Sequence, residues 1–332
     1  MIDKKNRRER WRMKPFDLIK TNQLYFWVSL YFLVGSLGLS MIDLSMNMYI
    51  LLNGLLLVGV PALFVAYRYK GEKGFKEFVR LNPVSFKTIL YSVMILISVY
   101  PIIMLSNALM MIILPEIPTE LNNQKSFVAI AVGFQIIGLG LFPGFFEELL
   151  FRGVLLRGVE NRNKQFAIIY IAFLFSLLHL NPYNFMGPFI LGIVFGYMVY
   201  ATNSIIPSMI AHMTNNLMAV GLLFVSTKLQ TLLPEEESLS AESIDVSMTD
   251  IPMASIILSG FMLLGLAYGS FRLTRFLLRK LKEENEQKVK ENRGIENVKE
   301  PVVFTKKERR SFFYIFPMVA IFICILCYAV MT

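Results

Sequence analysis

The sequence predicts an all-α protein, a polytopic transmembrane helical bundle of about eight or nine helices. Of its 332 residues, 55% are hydrophobic and 17% are charged, which leaves too little polar surface to cover a soluble protein of this size. The apolar residues also form long blocks, and a helix needs roughly 20 of them to cross the hydrocarbon layer. The candidate spans lie at about 24–42, 47–66, 88–114, 126–158, 166–181, 185–201, 204–226, 253–271 and 312–331.

The basic residues lie in particular connections between these spans. The formal net charge is +9, but Lys and Arg collect before the first span, after the second, at the end of the fourth and after the eighth. Such loops are cytoplasmic by the positive-inside rule, so nine spans place the N-terminus in the cytoplasm and the C-terminus outside. The pattern indicates a multi-pass protein of the cell membrane whose partner is the lipid bilayer, and it argues against nucleic acid.

The same patterns divide the chain into four segments. They are a basic cytoplasmic N-terminal segment (1–22), a membrane domain (23–228) with its functional core at about 126–226, an external acidic loop (229–252), and C-terminal membrane helices (253–332) with a charged cytoplasmic linker at about 272–310. Residues 271–282 of the last segment alternate basic and apolar side chains, as either an interfacial helix or the end of the eighth span would. The first helix is expected to be retained, because its apolar stretch is too long for a typical signal peptide.

A small set of polar residues falls inside the apolar spans, where polar groups are costly and usually functional. They are Glu147, Glu148 and Arg152 in the fourth span, His179 in the fifth, and His212, Asn215 and Asn216 in the seventh. The two histidines are the only ones in the chain. At 1.5 Å per residue, Glu147 and His179 lie roughly 20 Å, and His212 roughly 14 Å, from the turns expected on the cytoplasmic side. The sequence therefore predicts one shared site at membrane depth.

The fourth span is expected to kink or break just before its two glutamates, at Pro143 and Gly144. Irregular backbone at membrane depth is tolerated where it lines a cavity. A site that uses water needs such a cavity.

The two glutamates are predicted to have different roles. Glu148 and Arg152 are four residues apart on a helix, so they can pair and neutralise each other. Glu147 projects about a quarter-turn away and lacks that partner. An unpaired carboxylate in this setting suits a general base that acts on water.

The remaining polar residues can assist such a base. His179 can share the proton or orient the water, and Phe175 is expected to form a wall of the site. His212 and Asn216 are four residues apart, so both can donate hydrogen bonds to a developing oxyanion. Asn215 is expected to bind a neighbouring helix. This combination suffices for addition of water to an amide carbonyl.

Three motifs carry these residues in order. Glu147-Glu148-Leu-Leu-Phe-Arg152 fits E-E-x-x-x-R, Phe175-Ser-Leu-Leu-His179 fits F-x-x-x-H, and His212-Met-Thr-Asn-Asn216 fits H-x-x-x-N. With these motifs the chain resembles, over about 139–220, the CPBP family of type II CAAX prenyl endopeptidases and bacteriocin-processing (Abi-type) proteins.

The resemblance implies an intramembrane endopeptidase whose site opens toward the cytoplasm. It implies that the residues matching Glu147, His179, His212 and Asn216 are catalytic. The implied substrate is a membrane-associated peptide or lipidated protein, either of CAAX type, a bacteriocin or a signalling peptide.

Two mechanisms remain open for this site. Glu147, His179 and His212 can supply three zinc ligands and leave a position for water. No H-E-x-x-H helix is present, however, and Asn216 is a poor zinc ligand. Water activated by the glutamate without a cofactor is therefore favoured over zinc.

Two other functions also fit the polar residues. A membrane immunity or regulatory protein of the same fold would bind a peptide without cutting it, and replacement of Glu147 by Gln would then leave its function intact. A transporter would use the buried Glu and His as proton relays, although no inverted repeat is apparent.

Overall fold

The structure is a computed structural model that describes residues 16–71, 74–114, 131–232, 253–291 and 303–331. Every regular element in these ranges is a helix. Most of the predicted acidic loop, 233–252, lies outside the described residues.

The longer helices occur in the order of the predicted spans. The helices are α1 (Leu18–Ser40), α2 (Met46–Tyr69), α3 (Phe86–Ile113), α4 (Val132–Gly158), α5 (Lys164–Leu178), α6 (Met186–Thr202), α7 (Ile206–Leu232), α8 (Met253–Glu291), α9 (Lys306–Ser311) and α10 (Phe316–Met331), with two unnumbered short helical turns at Phe75–Phe78 and Phe312–Tyr314. Within the described ranges, 6 helices are long and apolar enough to cross a membrane, or 7 if the bent pair α9–α10 is one span. The predicted all-α polytopic bundle is confirmed, and the chain is a multi-pass membrane protein.

Helices α5 and α6 are short for membrane spans, with 15 and 17 residues. They rise roughly 22 and 25 Å, which is less than the hydrocarbon thickness of roughly 30 Å. The connection between them, 179–185, is therefore expected to stay at membrane depth, where irregular backbone must line a cavity or pack on protein.

Helix α4 continues through the position where a break was expected. Pro143 and Gly144 lie within an α-helical stretch, Phe142–Glu148, which is flanked by π-helical stretches at Gln135–Leu141 and Leu149–Val154. The backbone N–H of Phe142 donates to a carbonyl five residues back. This wide turn gives room to the proline ring, which would clash with a regular preceding turn. Of the predicted kink or break, the break is therefore wrong, and the kink stays a prediction.

Helix α4 packs very closely on α7 at Gly144. A Cβ atom at this glycine would lie 2.7 Å from the backbone nitrogen of Met213 and 2.9 Å from its Cα, so only glycine fits. The approach places Glu147, almost one turn further along α4, beside His212, which precedes Met213.

Helix α8 extends over 39 residues, so residues 272–291 of the predicted charged linker continue the eighth span. They contain neither Gly nor Pro, and pairs along the helix such as Lys280–Glu283 at 2.7 Å support it. The basic stretch 271–282 is thus the extended end of a span, and the alternative of a separate interfacial helix does not apply.

Several connections meet at one end of the bundle. Arg80 pairs with Glu160, Arg162 pairs with Glu308, and Arg157 also pairs with Glu160 at 3.3 Å. We call this the basic end, defined by Arg80, Arg157 and Arg162. It includes the end of α4 and the start of α5.

Helix α1 also begins near the basic end, earlier than predicted. Asp17 caps it by accepting from the backbone N–H of Lys20 at 3.0 Å, so residues 18–22 of the predicted N-terminal segment are helical. Asn22 is buried and donates to Ser311 at 2.8 Å, which joins α1 to α9.

Candidate active site

One cavity of about 420 Å³ brings together the four residues predicted to be catalytic. Its polar lining is Glu147, His179, His212 and Asn216, and its apolar lining is Leu139, Pro143, Ala219, Val220 and Leu223. Three helices supply the polar groups, because α4 carries Glu147, α7 carries His212 and Asn216, and His179 directly follows α5.

The glutamate that was predicted to pair with Arg152 does so, and it has a second partner. Arg152 donates to Glu148 Oε1 at 2.6 Å. The same oxygen lies 3.1 Å from Nδ1 of His212. All three side chains are buried. Sequence spacing does not reveal the second contact, since Glu148 and His212 are 64 residues apart.

Aromatic rings enclose the buried arginine. The guanidinium carbon of Arg152 lies 4.5 Å from the ring centroid of Phe175 and 5.4 Å from that of Phe195, within the range of cation–π attraction. Phe175 also packs edge-on against both histidine rings, 5.0 Å from His179 and 5.7 Å from His212. It therefore forms part of the wall that holds both imidazoles.

Glu147 faces the cavity. Its Oε2 atom is 3.9 Å from Nε2 of His212, too far for a direct hydrogen bond. This oxygen is buried and has no hydrogen-bond partner among the described residues. A buried carboxylate oxygen without a partner is costly, so Glu147 is ready to accept a hydrogen bond from a ligand or from water.

In both imidazoles Nδ1 is the nitrogen that contacts a protein acceptor. Nδ1 of His179 is 2.9 Å from the backbone carbonyl oxygen of Phe175. A carbonyl only accepts, so this nitrogen donates. Nδ1 of His212 likewise donates to the Glu148 carboxylate, which leaves Nε2 of each ring available to the cavity.

His179 lies at the end of its helix and not inside a span. It follows Leu178, the last residue of α5, and its ring satisfies the carbonyl of Phe175 in the last turn, one of the groups that a helix end leaves unpaired. The side chain is exposed. It therefore stands at the mouth of the cavity.

A chain of hydrogen bonds orients Asn216. Tyr100 donates to Oδ1 of Asn215 at 2.9 Å, and Nδ2 of Asn215 donates to Oδ1 of Asn216 at 3.0 Å. The carbonyl oxygen of Asn216 is thereby occupied and its NH₂ group is left to donate. Tyr100 comes from α3, outside the three motifs, and no sequence pattern points to it.

A smaller cavity of about 190 Å³ adjoins the first and shares His179, His212 and Asn216 with it. Tyr100 and Asn184 add polar groups to its lining. The two histidines and Asn216 therefore border both cavities.

The three possible zinc ligands do not form a ready metal site. Glu147, His179 and His212 share the cavity, but within the part of the chain that the structure describes no three His, Cys, Asp or Glu side chains are close enough together to hold a metal ion. As they are placed, these residues do not fit the zinc alternative.

The cavity of about 420 Å³ extends away from the basic end. It extends along α4 from Glu147 to Leu139 and along α7 from His212 to Leu223. Both directions lead away from the end of α4 and the start of α7, which lie at the basic end. The cytoplasmic side of the basic loops and the cytoplasmic opening of the site both stay predictions.

Residues 129–218 match the family described as type II CAAX prenyl endopeptidase Rce1-like. Comparison with curated proteins and with solved structures gives no match. The matched range contains all the predicted site residues, whereas Tyr100 lies outside it.

Proposed function

This chain belongs to the CPBP family, which includes the type II CAAX prenyl endopeptidases, and we propose on this basis that it cleaves a membrane-associated peptide or protein within the bilayer. The observation that supports the proposal most is the shared cavity of Glu147, His179, His212 and Asn216. Its apolar walls suit a substrate that arrives from the lipid, and its polar groups suit attack by water.

In the proposed reaction Glu147 is the general base. It takes a proton from a water molecule as the water oxygen bonds to the carbonyl carbon of the substrate. It then gives that proton to the leaving nitrogen as the C–N bond breaks, so that one amide and one water become a carboxyl group and an amine. The buried, unpartnered Oε2 atom supports this role, because it can accept the hydrogen bond of the water.

The other side chains hold the water and the oxyanion. Nδ1 of His179 donates to the carbonyl of Phe175, so Nε2 is free. This nitrogen accepts a hydrogen bond from the second O–H group of the water, which keeps its proton. The NH₂ group of Asn216 donates to the oxyanion that forms on the carbonyl oxygen. Nε2 of His212 lies 3.9 Å from Glu147 Oε2. Because Nδ1 carries the proton that is donated to Glu148, Nε2 accepts a hydrogen bond in this tautomer, and the expected donation from His212 to the oxyanion gives way to donation from Asn216.

The Glu148–Arg152 pair acts on His212. The carboxylate accepts from Nδ1 and so fixes the tautomer and the plane of the imidazole, as carboxylates behind functional histidines do. Arg152 holds that carboxylate in place. These two are positioning residues.

The proposal is tested in cells. Membranes from cells with the unmodified protein are compared by mass spectrometry with membranes from cells with Glu147→Gln. We expect one or a few uncut, membrane-associated peptides to accumulate with the variant and their fragments to be present only with the unmodified protein. The two strains must contain equal amounts of their respective proteins. Identical peptide populations in the two strains would then refute the proposal.

Loss of the Tyr100 hydroxyl is expected to lower kcat by about three- to tenfold and to leave KM unchanged, because one neutral hydrogen bond contributes roughly 1 kcal/mol. Tyr100→Phe removes the hydrogen bond that holds the side-chain amide of Asn215. The amide of Asn216, which Asn215 orients, can then rotate. Turnover of the identified peptide by purified protein measures the effect. The control is Tyr91→Phe, the same change on the same helix; equal kcat for both variants would contradict the positioning role.

The mechanism is proposed to need no metal. Because the possible ligands do not assemble, we expect purified protein to retain its kcat after treatment with a chelator and removal of the chelated metal. Loss of turnover that zinc restores would contradict this part of the proposal and would leave the peptidase activity itself intact.

A further inference from the structure

A groove of about 560 Å³ lies between α3, α6 and α8, apart from the candidate active site. Helix α6 separates the two. It lines the groove with Ile190, Ile193 and Tyr197, and it lines the small cavity of the site with Leu191 and Phe195. No residue that we assign to the reaction borders the groove.

The groove has an apolar part and a cationic part. Ser98 of α3 is hydrogen-bonded to Thr274 of α8 at 2.9 Å, and Thr88 is hydrogen-bonded to Asn285. The two helices are therefore antiparallel, with the start of α3 beside the end of α8. Ile102, Ile190 and Phe271 line the deep part, whereas Lys164, Arg275, Arg279 and Lys282 lie toward the basic end of the bundle.

These four cations are only partly balanced by acidic side chains, because Glu286, one turn further along α8, acts electrostatically on Lys282. None of them forms an ion pair with another described residue, and the described lining of the groove includes no Asp or Glu. The charges of Lys164 and Lys282 are close enough to repel each other. A cluster of like charges beside an apolar groove is stabilised by an anion.

Aromatic rings hold one of the cations at the groove. The ammonium group of Lys164 lies 5.2 Å from the ring centroid of Tyr197 and 5.1 Å from that of Tyr200. Tyrosine rings with a basic side chain are typical of the interface between hydrocarbon and headgroups. The cationic part of the groove thus has the character of the headgroup level.

We propose that this groove binds an anionic phospholipid, with the phosphate at Lys164, Arg275, Arg279 and Lys282 and an acyl chain in the apolar part. From Phe271 to Lys282 helix α8 rises roughly 16 Å, close to half of the hydrocarbon thickness of roughly 30 Å. The length of the groove along α8 therefore matches the thickness of one leaflet. Basic pockets between transmembrane helices bind anionic headgroups in this way.

Native mass spectrometry of the full-length protein in detergent tests this site directly. Phosphatidylglycerol and phosphatidylcholine with the same acyl chains are added separately, and the bound lipid is counted. One variant carries Arg275→Gln, Arg279→Gln and Lys282→Gln. The matched control carries Arg272→Gln, Lys280→Gln and Lys290→Gln, which removes the same charge from the same helix outside the groove.

We expect phosphatidylglycerol to bind the unmodified protein and the control alike, and to bind the groove variant about tenfold or more weakly. Phosphatidylcholine is expected to bind all three weakly. The proposal is overturned if the two triple variants lose phosphatidylglycerol equally, if the groove variant binds as well as the unmodified protein, or if inorganic phosphate displaces the lipid. The readout is binding, so it is independent of peptidase activity.

Discussion

Glu147→Gln is expected to lower kcat by roughly 10²- to 10⁴-fold, the range in which a general acid–base group contributes, and to leave KM and Tm nearly unchanged. Glutamine has almost the same shape as glutamate but cannot take up the proton of the attacking water. Its amide also fits the position, because the Glu147 side chain makes no ion pair with Arg or Lys among the described residues.

Turnover of the peptide that accumulates in cells, measured with purified protein, gives the size of the effect. The control is Glu283→Gln, the same change at an exposed position of α8, which is expected to retain full kcat. If Glu147→Gln keeps most of its function in cells and most of its peptide affinity, the protein binds peptides without cutting them. A non-catalytic immunity or regulatory role would then replace the proposed hydrolysis.

Arg152→Met is expected to destabilise the protein by about 3–5 kcal/mol, because it leaves a buried carboxylate without its cation. The Glu148 side chain is 0% exposed and that of Arg152 is 1% exposed, so water cannot replace the lost partner. The variant also removes the cation from between Phe175 and Phe195. Thermal or denaturant unfolding in detergent measures the change.

The double variant Glu148→Gln/Arg152→Met separates the charge effect from the packing effect. Removal of both charges is expected to recover a large part of the lost stability, since no uncompensated charge then remains. Its kcat is expected to stay low, because Gln holds His212 less firmly than a carboxylate does. An Arg152→Met protein as stable as the unmodified one would show that the pair is not a buried structural contact.

Much of the architecture could be predicted from hydropathy alone, since the bilayer requires long apolar helices. The pairing of Glu148 with Arg152 could also be predicted, because a spacing of four places both on one face of a helix. The continuous backbone of α4 could not. Pro143 normally ends or kinks a helix, and only the π-helical turn before it removes the clash.

The contacts between distant segments also could not be predicted from the sequence. Spacing within one motif does not show that Nδ1 of His212 meets Glu148, since α4 and α7 are brought together by the close approach at Gly144. Tyr100 has no motif around it. Its role depends on the position of α3 beside α7, and an apolar span with two tyrosines, Tyr91 and Tyr100, does not show which of them reaches the site.

The central claim is that Glu147, His179, His212 and Asn216 act on one peptide bond in a single cavity. The most direct test is an experimental structure of Glu147→Gln with the accumulated peptide bound. We predict that the carbonyl carbon of the bond to be cut lies within about 4–5 Å of the side chain at position 147, close enough for one water between them, and that its oxygen lies within hydrogen-bond distance of Asn216. A peptide bound with this bond on another face of the bundle, about 10 Å or more from these side chains, would contradict the account.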